Sequence, residues 1–326
     1  AGLRAVLEDV HRQYDYLVLF PSEDLGVELL EKEYAALESF CFIPFNPRNL
    51  REASDKRHQY QACEALGVPY PRTEYVNVRE DIEKILDLPF PVLVKPGTRK
   101  DVVSSVFRSL RLADPRDLDR HRQLIADFVA QGMGFLASEI VPWDGSNIYS
   151  YMGYRTRDGR ILNEWVGRKL AQYPNDFGVF ASASNECPDV VADQGRTLLH
   201  GMDLWAIAQP EFKFDSRDGR YKLMEINLRS MMWHRMGNRS GVNIQYSQYL
   251  DALGLDVPRQ RQVRDRKIHF VYAKHEMINL LTRKGYWKIF RRNFFSCDSV
   301  AFAIFDAHDL RPFWRDFKVC AKSCCE

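Results

Sequence analysis

Ala208-Gln-Pro-Glu-Phe-Lys-Phe-Asp-Ser-Arg-Asp-Gly-Arg-Tyr-Lys-Leu-Met-Glu-Ile-Asn-Leu-Arg229 is the stretch that decides the fold. It predicts two strands, 210–215 and 221–229, joined by a turn at 216–219. The Asp-Gly pair between two alternating runs is a strong signal for a β-hairpin. The stretch therefore predicts a hairpin whose second strand carries most of the chemistry-bearing residues.

Side chains alternate between the two faces of a strand, so Glu225, Asn227 and Arg229 share one predicted face, together with Leu223. The hairpin can bring Glu211 beside Glu225. Carboxylate and amide oxygens are ligands that Mg²⁺ prefers, and a nearby arginine suits a phosphate or an oxyanion. The alternative is a surface hairpin with a solvated polar face. The opposite face is predicted to enter the core through Met224, Ile226 and Leu228.

The composition is that of a globular enzyme. The 326 residues are 45% hydrophobic and 28% charged, with a formal net charge of +2. These values allow two or three compact units and give no overall case for nucleic-acid binding. We find no apolar run of membrane-spanning length and no signal peptide. The chain opens with Ala1 rather than Met, so we expect its start to be processed or trimmed.

The cysteines favour a reducing cytoplasm, because they are odd in number and scattered along the chain. The three near the end could hold a soft metal, but no second Cys/His pair has ligand spacing, and we favour a frayed end with free thiols. The seven are Cys41, Cys63, Cys187, Cys297, Cys320, Cys324 and Cys325.

Strand and helix signals alternate along the N-terminal half, which predicts an α/β chain with strands, crossovers and two hairpins. Three segments join the first hairpin. The first opens a helix at Asp55-Lys56 that ends at Gly67 and Pro69. The second is Phe90-Pro-Val-Leu-Val-Lys95-Pro96, which puts a lysine at the end of a buried strand. The third is Ser138-Glu-Ile-Val-Pro-Trp-Asp-Gly145, a strand that leads into a turn. Together, in this order, they resemble the ATP-grasp superfamily over residues 17–255.

The resemblance implies an ATP-grasp fold, in which two α+β subdomains grip ATP behind a partial Rossmann-like domain. The implied boundaries are 1–55 for a truncated Rossmann-like domain, 56–137 and 138–255 for the two ATP-grasp subdomains, and 256–326 for an appended C-terminal unit that follows a polar linker. It also implies roles by position. The lysines on the nucleotide phosphates are matched by Lys56 and Lys95. The strand whose backbone binds adenine is matched by Glu139, Ile140 and Val141. The ligands of two Mg²⁺ ions are matched by Glu211, Glu225 and Asn227, and the arginine at the reacting group is matched by Arg229.

One segment departs from that pattern. Many members carry a glycine-rich loop over the phosphates, whereas residues 97–105 contain one glycine. Arg99 and Lys100 could replace backbone amides by charge.

Residues 168–178 resemble a branch of carboxylate–amine ligases that includes the D-aspartate ligases of peptidoglycan cross-bridges. Arg168 and Lys169 would then lie near the γ-phosphate, or they are solubilising charges at a strand edge. Trp233 and His234 could wall the acceptor pocket, although a lone histidine is more often structural.

The predicted function is an ATP-dependent ligase that joins a carboxylate and an amine through an acyl phosphate. An amino acid and a peptidoglycan precursor are possible substrates. The alternatives are a small-molecule kinase on the same fold and a binding module without catalysis. The basic aromatic run 286–292 could contact an anionic lipid, although we favour an edge helix that packs its aromatic side chains inward.

Overall fold

The computed structural model describes residues 2–97, 107–174 and 178–316. In chain order its elements are α1 (Leu3–His11), β1 (Leu17–Val18), α2 (Asp24–Lys32), α3 (Tyr34–Leu37), β2 (Cys41–Phe42), α4 (Leu50–Ser54), α5 (Lys56–Leu66), β3 (Thr73–Val76), a 3-10 helix (Arg79–Asp87), β4 (Val92–Pro96), β5 (Leu110–Leu112), α6 (Pro115–Ala130), β6 (Phe135–Glu139), β7 (Ile148–Arg155), β8 (Ile161–Tyr173), β9 (Val179–Ser184), α7 (Asp189–Gly201), β10 (Ala206–Asp215), β11 (Arg220–Asn227), α8 (His234–Arg239), α9 (Ile244–Ala252), β12 (Ile268–Val271), α10 (Ala273–Thr282), α11 (Trp287–Phe295) and β13 (Ser299–Phe302). The predicted mixed α/β class is confirmed.

The chain divides into two compact units. Unit one contains Ala1–Arg48, Asp144–Glu211 and Asn227–Glu326, and unit two contains Asn49–Trp143 and Phe212–Ile226. The predicted hairpin is present as β10 and β11, and the boundary between the units crosses both of its strands.

Unit two contains an antiparallel sheet with the strand order β3-β6-β4-β5. Helix α5 begins and ends where the sequence predicts. The Asp55 side chain accepts a hydrogen bond from the Arg57 N–H at 2.7 Å and caps the first turn, and Gly67 ends the helix in the left-handed region with a φ of 69°. The apolar side chains of the sheet pack against α6 and the 3-10 helix. This arrangement fixes Lys56 at a helix start and Lys95 near the end of β4.

Unit one has a small parallel sheet, in which Leu17 of β1 lies opposite Cys41 of β2. The large sheet has the strand order β11-β10-β7-β8-β9-β12-β13. Antiparallel pairing joins β7 to β8 and β8 to β9, and a buried aromatic cluster that includes Trp165, Phe180 and Trp233 lies on one side. The sheet therefore carries Arg168 and Lys169 on its central strand.

Two parts of the sequence prediction differ from the structure. Leu223, predicted on the polar face of β11, is fully buried, and its N–H donates to the Pro69 carbonyl at 2.8 Å. The segment predicted as an appended unit supplies β12 and β13, and β12 pairs with β9 in the large sheet. The polar run before it is also anchored, since the Gln262 side chain bonds both the N–H and the carbonyl of Val166.

The predicted loop beyond Gly97 and the three C-terminal cysteines lie outside the described residues. The four described cysteines are free thiols. None of the helices in the described part of the chain combines the length and the apolar character needed to cross a membrane.

Candidate active site

Lys95 lies near the end of β4 and interacts with two other predicted site residues. Burial, together with the positive charge of Lys56, lowers the pKa of its ammonium group to about 8, although the negative charge of Glu225 acts in the opposite direction. All three residues belong to unit two. Two ammonium groups near one carboxylate leave an excess of positive charge, which suits a polyanionic ligand such as a nucleotide phosphate.

This pKa predicts how nucleotide binding depends on pH. Below about 8 the Lys95 ammonium is charged and attracts phosphate, and above it the amine is neutral, so ATP affinity should fall as pH rises through that value. A bound phosphate should also raise the pKa of Lys95, so ATP binding at a pH near 8 should be accompanied by the uptake of a proton. Calorimetry in buffers of different ionisation enthalpy measures both effects. Lys95→Met should lack the proton uptake, and the same uptake in that variant would assign it to another group.

The predicted adenine strand lies at the end of β6, and its backbone groups are already partly used. The Glu139 N–H donates to the Arg72 carbonyl and the Ile140 N–H to the Pro91 carbonyl, each at 2.9 Å. Lys213 Nζ donates to the Val141 carbonyl at 2.7 Å. Within the residues that the structure describes, no hydrogen bond reaches the Val141 N–H. That N–H is therefore the donor in this stretch that an adenine edge could use.

The Glu139 side chain is part of a buried ionic network that the sequence did not predict. Its carboxylate accepts hydrogen bonds from Lys222 Nζ at 2.8 Å and from Arg217 Nη2 at 2.6 Å. Both donors also contact Asp215, whose side chain has no solvent exposure. Arg217 and Lys222 hold the pKa of the Asp215 carboxyl far below its usual range, chiefly through the hydrogen bond from Arg217. The network joins the hairpin tip to the end of β6 inside unit two.

Removing Lys222 should therefore destabilise the fold. Lys222→Ala leaves two buried carboxylates with one fewer cation, and loss of one partner of a buried pair costs about 3–5 kcal/mol. Chemical denaturation would measure the change in the free energy of unfolding. The control is Lys84→Ala, which removes an exposed pair with Asp81 and should cost less than about 1 kcal/mol. Equal effects of the two variants would contradict a structural role for the network.

Arg229 is held by a residue from the N-terminal region. Its Nε lies 2.7 Å from Asp24 Oδ1 on α2, and its Nη2 lies 3.3 Å from the Asn227 side-chain oxygen. The structure thus brings together the predicted catalytic arginine and one predicted metal ligand. Glu211, on β10, is half-buried in the same unit.

Arg168 and Lys169 point to opposite faces of β8, as neighbours on a strand do. Arg168 contacts Glu186 at 3.4 Å. Lys169 is buried, with its Nζ 3.3 Å from the Gln172 side-chain oxygen and 4.4 Å from the centre of the Phe180 ring. No carboxylate among the described residues pairs with this ammonium group. Within the described residues its neighbours are therefore an amide oxygen and an aromatic ring face.

His234 has protein partners at both ring nitrogens. Gln245 Nε2 lies 2.8 Å from Nδ1, and Nε2 lies 3.1 Å from Gln209 Oε1, which also accepts from Trp233 Nε1. Burial, together with the positive charge of Arg229, lowers the pKa of His234 to about 3. The imidazole is therefore neutral at physiological pH.

Known structures share this architecture. Biotin carboxylase from Campylobacter jejuni, in a complex with an ATP compound, matches with a TM-score of 0.64 and 12% identity over 80% of this chain and 60% of that one. N5-carboxyaminoimidazole ribonucleotide synthetase from Thermus thermophilus matches with a TM-score of 0.60 and 16% identity over 80% and 68%. L-amino acid ligase from Bacillus licheniformis matches with a TM-score of 0.58 and 15% identity over 81% and 65%.

The chain has the ATP-grasp fold. No family model matches its sequence. D-aspartate ligase from Enterococcus faecium (strain Aus0004) is 25% identical over 222 residues, which cover 65% of this chain and 53% of the relative. The chain therefore spans about half the length of that curated relative.

The three residues predicted to bind magnesium lie on the strands of the hairpin. Glu225 and Asn227 alternate along β11, Glu211 lies on the neighbouring strand, and all three offer hard oxygen atoms. The described residues contain no group of three or more His, Cys, Asp or Glu side chains that could hold a metal. The predicted magnesium ligands would not form such a group, because they are two carboxylates and one amide.

Sequence reasoning missed several residues around the predicted site of this ATP-grasp chain. Lys222 had a usable signal, since it shares the face of β11 with Ile226 and Leu228, and a lysine on a core-facing side needs a buried acid. Asp24 had no such signal in the sequence, because it is separated from its partner Arg229 by 205 positions. The missed residues are Asp24, Lys213, Asp215, Arg217 and Lys222.

Proposed function

We propose that the chain is an ATP-dependent carboxylate–amine ligase that forms an amide through an acyl phosphate. The observation that carries the proposal is the electrostatic coupling of Lys95, Lys56 and Glu225 within an ATP-grasp fold. It joins both predicted phosphate lysines to a predicted metal ligand. The similarity to D-aspartate ligase and to L-amino acid ligase supports amide formation as the reaction.

The side chains would divide the work by charge. Lys56, Lys95 and Lys169 attract the phosphates, and the Val141 N–H meets the adenine edge. Magnesium, when bound, neutralises charge on the phosphate oxygens, and Glu211, Glu225 and Asn227 would hold it, as two ions in the arrangement that the resemblance implies. Arg229 and Arg168 would face the reacting groups.

The reaction has two steps that balance in atoms and charge. A carboxylate oxygen attacks the γ-phosphorus of ATP, the bond to ADP breaks, and an acyl phosphate forms. The amine nitrogen then attacks the acyl carbon, the carbon–oxygen bond to phosphate breaks, and the nitrogen loses a proton. Charge builds on the transferring phosphoryl group and then on the tetrahedral carbon, so fixed cations accelerate both steps.

An amino acid such as D-aspartate is the proposed acid, and a peptide or a peptidoglycan precursor is the proposed amine. The support is the 25% identity with D-aspartate ligase. We further propose a reducing cytoplasm as the site of action, which the four free cysteines in the described residues support.

Isotope transfer tests this reaction. The substrates are first identified by ADP release from amino acids offered in pairs and with peptidoglycan precursors. With ¹⁸O in the carboxylate substrate, one labelled oxygen should appear in the released phosphate. Unlabelled phosphate from a reaction that forms amide would exclude the acyl phosphate. Phosphate retained on a product would indicate a kinase, and ATP binding without ADP release under any pairing would indicate a binding module.

A further inference from the structure

Helix α11 and the turn before it form a basic surface with exposed aromatic side chains, which we name the α11 face: Lys284, Trp287, Lys288, Arg291, Arg292 and Phe295. All six are exposed, with Trp287 at 58% and Phe295 at 71%. Leu281, three residues before Lys284, is 79% exposed. Exposed apolar side chains that lie together on one face, rather than scattered singly, mark interaction surfaces.

The helix separates its two sides cleanly. At 100° per residue, its five exposed residues fall within an arc of about 140°. The opposite side carries Ile289, Phe290, Asn293 and Phe294, which are buried or half-buried. Asn293 is fixed by hydrogen bonds to Ser182 Oγ at 2.7 Å and to Glu276 Oε1 at 3.1 Å. Packing therefore sets the orientation of the helix. The Trp287 ring stacks on Phe290 with 5.7 Å between ring centres, and both Trp287 and Phe295 keep more than half of their surface exposed.

The charges on this face have one sign. Residues 277–297 contain five arginines and lysines and no aspartate or glutamate. No carboxylate among the described residues pairs with Lys284, Lys288 or Arg291. Some exposed arginines elsewhere on the described surface do have acidic partners, as in the pairs Arg120–Asp117 and Arg160–Asp158. These positive charges make the α11 face complementary to a dense negative surface.

We propose that the α11 face docks on an anionic lipid bilayer. Trp287 and Phe295 lie two turns apart on the same side, so both rings can enter the interface while the helix lies parallel to the membrane. Lys284, Lys288, Arg291 and Arg292 then meet lipid phosphates. Paired aromatic side chains that flank basic residues on one short helix favour a bilayer over a nucleic acid, because the bilayer takes up apolar and cationic groups together. The docking does not depend on the proposed ligase reaction.

Vesicle sedimentation tests the proposal with the full chain. Vesicles of equal parts phosphatidylglycerol and phosphatidylcholine should bind it, whereas pure phosphatidylcholine vesicles should bind it weakly. Lys288→Gln with Arg291→Gln should lower the partition coefficient about 30-fold, since each basic residue near an anionic surface contributes about fivefold. Trp287→Ser with Phe295→Ser should lower it by a comparable or larger factor.

Matched controls use exposed residues elsewhere in the chain. Arg111→Gln with Arg116→Gln removes two exposed charges, and Tyr14→Ser with Leu255→Ser removes two exposed apolar side chains. Circular dichroism checks that every variant is folded. Retained vesicle binding by the two α11 variants, equal losses in the controls, or binding to single-stranded RNA in place of vesicles would each overturn the proposal.

Discussion

Glu225→Gln is expected to lower kcat roughly a thousandfold or more and to leave the fold intact. A neutral amide cannot balance the charge of a bound magnesium ion, and a catalytic metal contributes several kcal/mol to the stabilisation of transition-state charge. The substitution keeps the shape of the side chain, so packing on β11 should be preserved. Steady-state ADP release in the presence of magnesium measures the effect.

The same variant has a second expected readout, which does not depend on catalysis. The negative charge of Glu225 raises the pKa of Lys95. Neutralising Glu225 should therefore move the midpoint of the pH dependence of ATP binding to a value below about 8. Glu80→Gln, on an exposed position of the 3-10 helix in the same unit, is the control and should change neither property. Near-normal turnover together with an unshifted pH dependence would remove Glu225 from the site.

Features with a local signal in the sequence were predicted well. The start of α5 follows from the capping ability of Asp55, and its end follows from the left-handed conformation that Gly67 adopts at low cost. The turn of the β10–β11 hairpin follows from Asp-Gly in the same way. In each case the residues that decide the conformation lie within a few positions of one another, so no knowledge of distant packing is required.

Features decided by distant packing were not predicted. Alternation placed Leu223 with the polar residues of β11, but Lys222 and Leu223, which face opposite ways, are both buried, and alternation cannot reveal a strand that is covered on both sides. The strand β12 shows no local sign of its partner, and its pairing with β9 makes the C-terminal segment part of the large sheet. Pairing between distant strands is a property of the whole fold.

In the candidate site, too, residues with a local signal in the sequence differ from residues that distant packing brings in. Strand position alone made Lys95 and Asn227 candidates, and the resemblance supplied their predicted roles. The ion pair between Asp24 and Arg229 joins helix α2 to the segment that follows β11, and no spacing rule connects two such distant positions. Residues that hold a functional side chain in place are therefore harder to find from sequence than the functional side chain itself.

Arg229→Lys is expected to lower kcat about 100-fold or more with little change in ATP affinity. The loss of one preoriented donor to a developing oxyanion typically costs this factor, and a lysine keeps the charge but lacks the planar fork. In the structure Arg229 uses that fork to contact Asp24 and the Asn227 side chain together. The variant should therefore lose orientation while the positive charge remains. Single-turnover kinetics with ATP and both substrates would separate chemistry from binding.

Asp24→Asn gives the matched comparison, because it leaves the guanidinium intact and weakens only the ion pair that orients it. Its kcat should fall less than that of Arg229→Lys, and the double variant should fall by less than the product of the two single effects, since both changes act on one side chain. An unchanged kcat for Arg229→Lys would make the Asp24 pair purely structural. A fall in ATP affinity that accounts for the whole effect would instead place Arg229 on the bound nucleotide in the ground state.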